Sequence, residues 1–193
     1  LRNYQRKRQA LELALSQNPV YQWAHPAWLL KHIQADWPHA WRDILAANNA
    51  QAPMVLRVNR QRCSLANYMD GLAQAGIQAH KAPLGDDGLV LQQAMDVALL
   101  PGFAAGEISV QDSAAQLVAA SLELQAGHKV LDACAAPGGK TCHMAELQPQ
   151  AQILALDVDG QRLERVADNL ARLQLGNSVR LQHADAASTQ DWW

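Results

Sequence analysis

The sequence predicts an α/β protein, a parallel sheet flanked by helices and preceded by a smaller α+β module, on three observations. Past residue 128, short aliphatic runs alternate with helical patterns across connections of a few residues, the pattern of parallel strands with helices on their faces. The first run, Lys129-Val130-Leu131, enters a glycine turn at Gly138-Gly139 that opens a helix. The second, Ile153-Leu154-Ala155-Leu156, ends at Asp157, about twenty residues past the glycine turn, at the distance where a carboxylate can accept the hydroxyls of a ribose.

The elements follow in chain order. Tyr4 to about Ser16 reads as a helix from the spacing of Leu11, Leu13 and Leu15, and Asn18-Pro19 ends it. From Pro26, well placed at a helix start, Trp28, Leu29 and Ile33 recur at helical spacing, as do Trp37, Trp41, Ile44 and Leu45 around a break at Pro38. With Trp23 just before this stretch, four of the six tryptophans fall together, and their spacing assigns them to a core in preference to a base-stacking surface. Pro53 precedes a strand over 54–59, followed by a helix over 65–75 that Gly76 closes. Short extended stretches near Ile77 and over 89–91 flank Gly85-Asp86-Asp87-Gly88, a turn by its chemistry. A loop with Pro101-Gly102 leads to Ile108–Val110 and a helix over 113–124 beside the later sheet. After Asp157, a helix over 160–175 carries the apolar stripe Leu163, Val166, Leu170 and Leu173. That places Arg162, Arg165 and Arg172 toward solvent, with Arg162 the one able to reach a ligand. Val179–His183 is the third strand.

The unit of strand, glycine loop, helix, strand and aspartate makes this half Rossmann-like. A phosphate-cradling loop of the G-x-x-x-x-G-K-[ST] type needs a glycine where Cys134 stands, and a G-x-G-x-x-G fingerprint is broken by Ala135 and Ala136. What remains is a loop for a nucleoside ligand without a pyrophosphate, of which S-adenosylmethionine is the common one.

The stretch Asp132-Ala133-Cys134-Ala135-Ala136-Pro137-Gly138-Gly139-Lys140-Thr141 resembles motif I of the Sun/Fmu family of RNA cytosine-5 methyltransferases. Further similarity lies in His25-Pro26-Ala27-Trp28-Leu29-Leu30, Ala47-Asn48-Asn49, Leu56-Arg57-Val58-Asn59, Leu100-Pro101-Gly102-Phe103 and Val110-Gln111-Asp112. The His-Pro-x-Trp-Leu segment is similar to the bacterial 16S ribosomal RNA branch, the RsmB type.

The resemblance implies S-adenosylmethionine-dependent methylation of carbon 5 of a cytosine in 16S ribosomal RNA. It implies cofactor binding by Cys134, Ala135, Ala136, Pro137, Gly138, Gly139 and Lys140, with Asp157 on the ribose and Asp185 on the adenine amino group. It gives residues 19–108 an RNA-recognition-like fold, with Arg57, Asn59 and Arg60 on RNA, and residues 109–193 the first half of the methyltransferase sheet. Residues 1–18 become the end of, or connector from, an upstream NusB-like helical domain, and the Pro-Cys and Thr-Cys catalytic motifs are expected beyond Trp193. The chain reads as an internal fragment, silent in catalysis by itself. A non-enzymatic RNA-binding adaptor and a P-loop phosphotransferase are the alternatives.

Charge is divided along the chain. Residues 1–81 carry ten basic and four acidic side chains and residues 82–193 six and fourteen, so the first half is the side expected to face a polyanion. The three cysteines, Cys63, Cys134 and Cys142, form no C-x-x-C spacing, which argues against zinc or a disulfide framework and suits a reducing cytoplasm. Thr141-Cys142 mimics a catalytic Thr-Cys pair, but its place in the first turn after the glycine loop assigns Cys142 to packing. No apolar run is long enough to span a membrane.

Overall fold

The computed structural model describes residues 2–192, which divide into two compact units, residues 2–52 and residues 53–192. The first is helical: α1 (Arg2–Ser16), α2 (Pro19–Trp23), α3 (Ala27–Asp36) and α4 (Trp41–Asn49). Asn18 separates the first two by accepting from the Val20 N–H, while Pro19 occupies the first turn of α2, where its missing donor costs nothing. Leu30 and Leu45 fill the interior, and Trp23 meets Trp41 edge to face at 5.2 Å. The expectation that the tryptophans are core fails for Trp28 and Trp37, which are 64% and 60% exposed. Residues two apart on a helix lie on opposite faces, so burying Leu30 turns Trp28 outward.

The second unit contains two sheets. β1 (Val55–Val58), β2 (Ala79–Lys81), β3 (Gly88–Leu91) and β4 (Ile108–Val110) form an antiparallel sheet in the order β2-β3-β1-β4, with Leu56 opposite both Leu89 and Val110. Helix α5 (Leu65–Gln74) covers one face and joins Leu56, Val58, Tyr68, Leu72, Leu89, Leu91, Leu100 and Ile108 in one core. Ser64 caps its start by accepting from Asn67, and Gly76, at φ 74°, reverses the chain at its end so that Ile77 N–H reaches Leu72 O at 2.8 Å.

Helix α6 (Ser113–Ser121), capped by Asp112, leads to the parallel sheet β5 (Lys129–Asp132), β6 (Gln152–Asp157) and β7 (Val179–His183), ordered β5-β6-β7. α7 (Gly139–Leu147) and α8 (Gly160–Leu173) connect these strands. The stripe Leu163, Val166, Leu170 and Leu173 packs with Ala145, Ile153 and Ala155, as its spacing requires.

Two features differ from expectation. Helix α6 stops at Ser121, three residues early, and the chain turns at Glu123 with φ 47°. The boundaries expected at 18/19 and 108/109 do not match the compact units, which part at Ala52/Pro53. The second expected boundary falls inside β4, whose backbone bonds to β1 complete the antiparallel sheet.

Candidate functional site

Strand β5 ends at Asp132, whose Oδ2 accepts from the Thr141 hydroxyl at 2.6 Å and ties the strand to the first turn of α7. Between them the loop is held by its own backbone. Ala135 N–H donates to Leu156 O at 2.8 Å, Gly138 N–H to Ala135 O at 2.6 Å and Ala136 N–H to Asp157 Oδ2 at 3.0 Å. Gly138 has φ 101°, and a Cβ there would lie 3.0 Å from Val166 Cγ1 and 3.3 Å from its Cα. Only glycine fits against α8 at that point. The first N–H groups of α7, at Gly139, Lys140 and Thr141, have no intrahelical acceptors, so the loop delivers an anion-favouring helix end.

Asp157 is buried at the carboxyl end of β6, and its Oδ1 accepts from Asp159 N–H at 3.0 Å. The N–H groups of Asp159 and then Ala136 hold its carboxyl below the ordinary range, so it is a carboxylate at neutral pH. Each oxygen uses one backbone donor and retains acceptor capacity for a vicinal diol. Asp159, two residues on, caps α8 through Gln161 and Arg162 N–H. Asp185 stands exposed two residues beyond β7, its Oδ1 accepting from Ala187 N–H at 2.9 Å in a turn. Cys134, Pro137 and Lys140 are exposed, whereas Ala135 and Gly138 are buried. The structure therefore brings the 134–140 loop and Asp157 into direct contact. It puts Asp185 at the same strand ends without a bond to either. These fit a nucleoside bearing a carboxylate tail: a helix end for the tail and a carboxylate for the ribose.

Three residues of one helix grip the loop: Arg162 was read from sequence as able to reach a ligand and Val166 as a stripe residue, whereas Asn169 was not singled out. Helix α8 places Arg162, Val166 and Asn169 on one face: Arg162 Nη2 donates to Ala136 O at 3.1 Å, Asn169 Nδ2 to Pro137 O at 3.0 Å, and Val166 abuts Gly138. Their spacing of four and three residues was a readable signal. Gln111 stood in the Val110-Gln111-Asp112 segment without a role, and Glu146 gave no signal, since their partners are far along the chain.

Three RNA-contact expectations change. Arg57 is 1% exposed and Asn59 1% exposed. Arg57 pairs with Glu146 through two bonds, Nε to Oε2 at 2.9 Å and Nη2 to Oε1 at 2.7 Å, and reaches Gly139 O and Gln111. Asn59 donates to Gly106 O at 3.1 Å and accepts from Gln61 N–H at 3.0 Å. Both side chains are buried and engaged, Arg57 from the central strand β1 on α7 and Asn59, one residue past β1, on the Gly106 carbonyl. Arg60 is half exposed but engaged by Asp87 at 2.5 Å and Asp86 at 3.4 Å. Arg172, expected in solvent, donates to Phe103 O and Ile108 O at 2.8 and 2.9 Å and stacks over the Phe103 ring at 4.1 Å.

Cys142 is 1% exposed, and burial pushes its thiol up to about 12, so it is a packing residue and no nucleophile. Burial also raises the half-buried Cys63.

Comparison with known proteins agrees with this arrangement. Residues 25–98 match the family described as the RsmF/B-like methyltransferase ferredoxin-like domain, and residues 119–193 match 16S rRNA methyltransferase RsmB/F. The chain is 51% identical over 194 residues to ribosomal RNA small subunit methyltransferase B of Pseudomonas syringae pv. tomato, covering all of this chain and 43% of that protein. It is 46% identical to the protein of the same name from Vibrio cholerae, covering 44% of it. The chain thus spans less than half the length of these curated relatives. Among solved structures, a methyltransferase homolog protein from Pyrococcus horikoshii superposes with a TM-score of 0.78 at 27% identity, over 89% of this chain and 56% of that one. NSun6 from the same organism, at 17% identity and a TM-score of 0.78 over 86% of this chain and 67% of that one, shares the fold.

Proposed function

This chain belongs to the RsmB/F methyltransferase family, and from that premise we propose that the whole protein transfers a methyl group from S-adenosylmethionine to carbon 5 of a cytosine in 16S ribosomal RNA. The observation that carries the reading is the junction of Gly138, the open N-terminus of α7 and the Asp157 carboxylate. S-adenosylmethionine supplies an electrophilic methyl group on a sulfonium. The chain's own residues bind and orient it. The first N–H groups of α7 receive the methionine carboxylate, Asp157 accepts both ribose hydroxyls, the loop from Cys134 to Lys140 wraps the ligand between them, and Asp185 accepts from the adenine amino group.

Cytosine is a weak carbon nucleophile, and in this class of reaction a thiolate adds to carbon 6 to activate carbon 5. Neither Cys142, buried in α7, nor Cys63 is given that role, and Cys134 lies within the cofactor loop. No catalytic residue is therefore assigned among these 193 residues, and we propose that the chain by itself is silent in methyl transfer. RNA contact belongs to exposed basic side chains of the first 81 residues, such as Arg6 and Arg8, in place of Arg57 and Asn59. A cytoplasmic location follows from a ribosomal RNA substrate. Among the described residues no helix is long and apolar enough to cross a membrane.

Calorimetric titration of the full-length protein with S-adenosylmethionine and with ATP tests the cofactor. Binding of the first alone is expected; preference for ATP returns the loop to phosphate chemistry, and binding of neither favours an RNA-binding adaptor. Methyl transfer to unmodified 16S RNA, with the product nucleoside identified by mass spectrometry, tests the base and the atom.

A further inference from the structure

We propose that Arg57, a residue of the antiparallel sheet, is a positioning residue for the cofactor loop: it aims and polarises the Gly139–Lys140 peptide at the open end of α7. The inference rests on that loop binding S-adenosylmethionine.

The guanidinium is enclosed, and its three nitrogens are all engaged, on α7 and on Gln111 between β4 and α6. Nε and Nη2 hold the Glu146 carboxylate, while Nη1 donates to Gly139 O at 3.0 Å and to Gln111 Oε1. Gly139 opens α7 and Glu146 lies in its last turn. Seven residues make about two turns, so both face the same side, and a long side chain leans back toward the N-terminus. One rigid fork therefore fixes the helix at both ends. Two more side chains of the same module reinforce it: Gln111 Nε2 donates to Gly139 O at 3.3 Å, and Gln61 Nε2 donates to Ala145 O at 3.2 Å and Glu146 O at 2.7 Å.

The consequence for the ligand comes from the peptide plane. Gly139 C=O and Lys140 N–H belong to one planar trans amide and point in opposite directions. A cation held on the oxygen sets the plane and draws charge toward it, and this strengthens the N–H on the other side as a donor. That N–H is among the three at the start of α7 with no intrahelical acceptor. The antiparallel sheet thus determines the direction and strength of a donor in a site otherwise built by the parallel sheet.

The test uses the full-length protein with two variants. Arg57→Met combined with Glu146→Leu replaces the ion pair by apolar side chains and leaves no charge stranded, an exchange that buried pairs commonly tolerate. Arg57→Lys keeps the charge but cannot span Glu146 and Gly139 together. Each is titrated with S-adenosylmethionine, and the Lys140 amide is followed by two-dimensional ¹H–¹⁵N NMR without ligand. The expected result is a shifted Lys140 amide in both variants and a dissociation constant raised about tenfold at unchanged stoichiometry. A purely structural role lowers the stoichiometry by unfolding and leaves the constant of the folded fraction as it was. That outcome overturns the proposal, as does an unmoved Lys140 amide. If the unaltered protein binds no S-adenosylmethionine, the proposed function fails, while the Lys140 amide still reports whether Arg57 sets the peptide. If the double variant does not fold, Arg57→Lys decides by the same two measurements.

Discussion

The antiparallel and parallel sheets of residues 53–193 use similar aliphatic side chains and are enclosed to different degrees. β1 is buried at all four positions, Val55, Leu56, Arg57 and Val58, whereas β5 leaves Lys129 and Leu131 exposed and Val130 and Asp132 half-buried. β1 sits between β3 and β4, with α5 against Leu56 and Val58 and with Glu146 of α7 received by Arg57 on the other face. β5 pairs with β6 alone among the described residues. The enclosed sheet holds the helix that follows the glycine loop, and the more open sheet carries Asp132 and Asp157 at the ends of its strands.

The largest test of that contrast is the pair Arg57 and Arg60, three residues apart. Burial raises the Glu146 carboxyl and the Arg57 guanidinium draws it back, so Arg57→Ala strands a buried carboxylate and should cost about 3–5 kcal/mol in urea unfolding. Arg60→Ala, on a half-exposed pair with Asp87, should cost no more than about 1 kcal/mol. Equal costs would remove the distinction between the two.

Apolar truncation sharpens the same comparison. Leu89→Ala in β3, at 0% exposure, should cost about 2–5 kcal/mol, and Leu131→Ala in β5, at 41% exposure, about 1 kcal/mol or less. Thermal melts of the two variants give the ratio directly.

Function should sort the other way. Asp157→Ala at the end of the parallel sheet should weaken S-adenosylmethionine by roughly 1.5–3 kcal/mol through loss of charge-assisted bonds, while Leu89→Ala should leave the affinity of the folded protein intact. Calorimetry showing the same affinity in Asp157→Ala and the unaltered protein would take Asp157 out of the site.

The most gradual effect is in pH. His143 of α7 is 4% exposed, its Nδ1 has no hydrogen-bond partner, and burial, followed by the charges of Arg57 and Arg60, lowers it from 6.5 to about 3. A histidine kept neutral in the fold contributes stability that is complete above pH 6.5 and lost as pH falls toward about 3, at about 1.4 kcal/mol per pH unit. His143→Leu should flatten the stability curve in that window. A curve of unchanged slope would place the acid sensitivity elsewhere.

The parallel half was legible because its signals are local. A strand running into Gly138, an aspartate after the next strand and a stripe at 163, 166, 170 and 173 each depend on neighbours in sequence, and the structure keeps them within a residue or two. The position of Asp157 at the end of β6 was legible for the same reason. Arg57 was not, because basic residues near the end of a strand in a positively charged half look alike as sequence. Whether such a strand is central or exposed depends on β4, about fifty residues later. Trp28 and Trp37 failed similarly, since helical spacing shows which residues share a face but not which face is covered.

By itself, then, the sequence determined the glycine turn and the order of strands and helices around it, because these follow from φ preferences and side-chain periodicity within a few residues of one another. Tertiary structure alone decided that Arg57, Gln111 and Glu146, separated by as many as 89 residues, meet beneath the start of α7. A buried charge must find its counter-charge wherever packing excludes water, and that place is a property of the assembled sheets and helices.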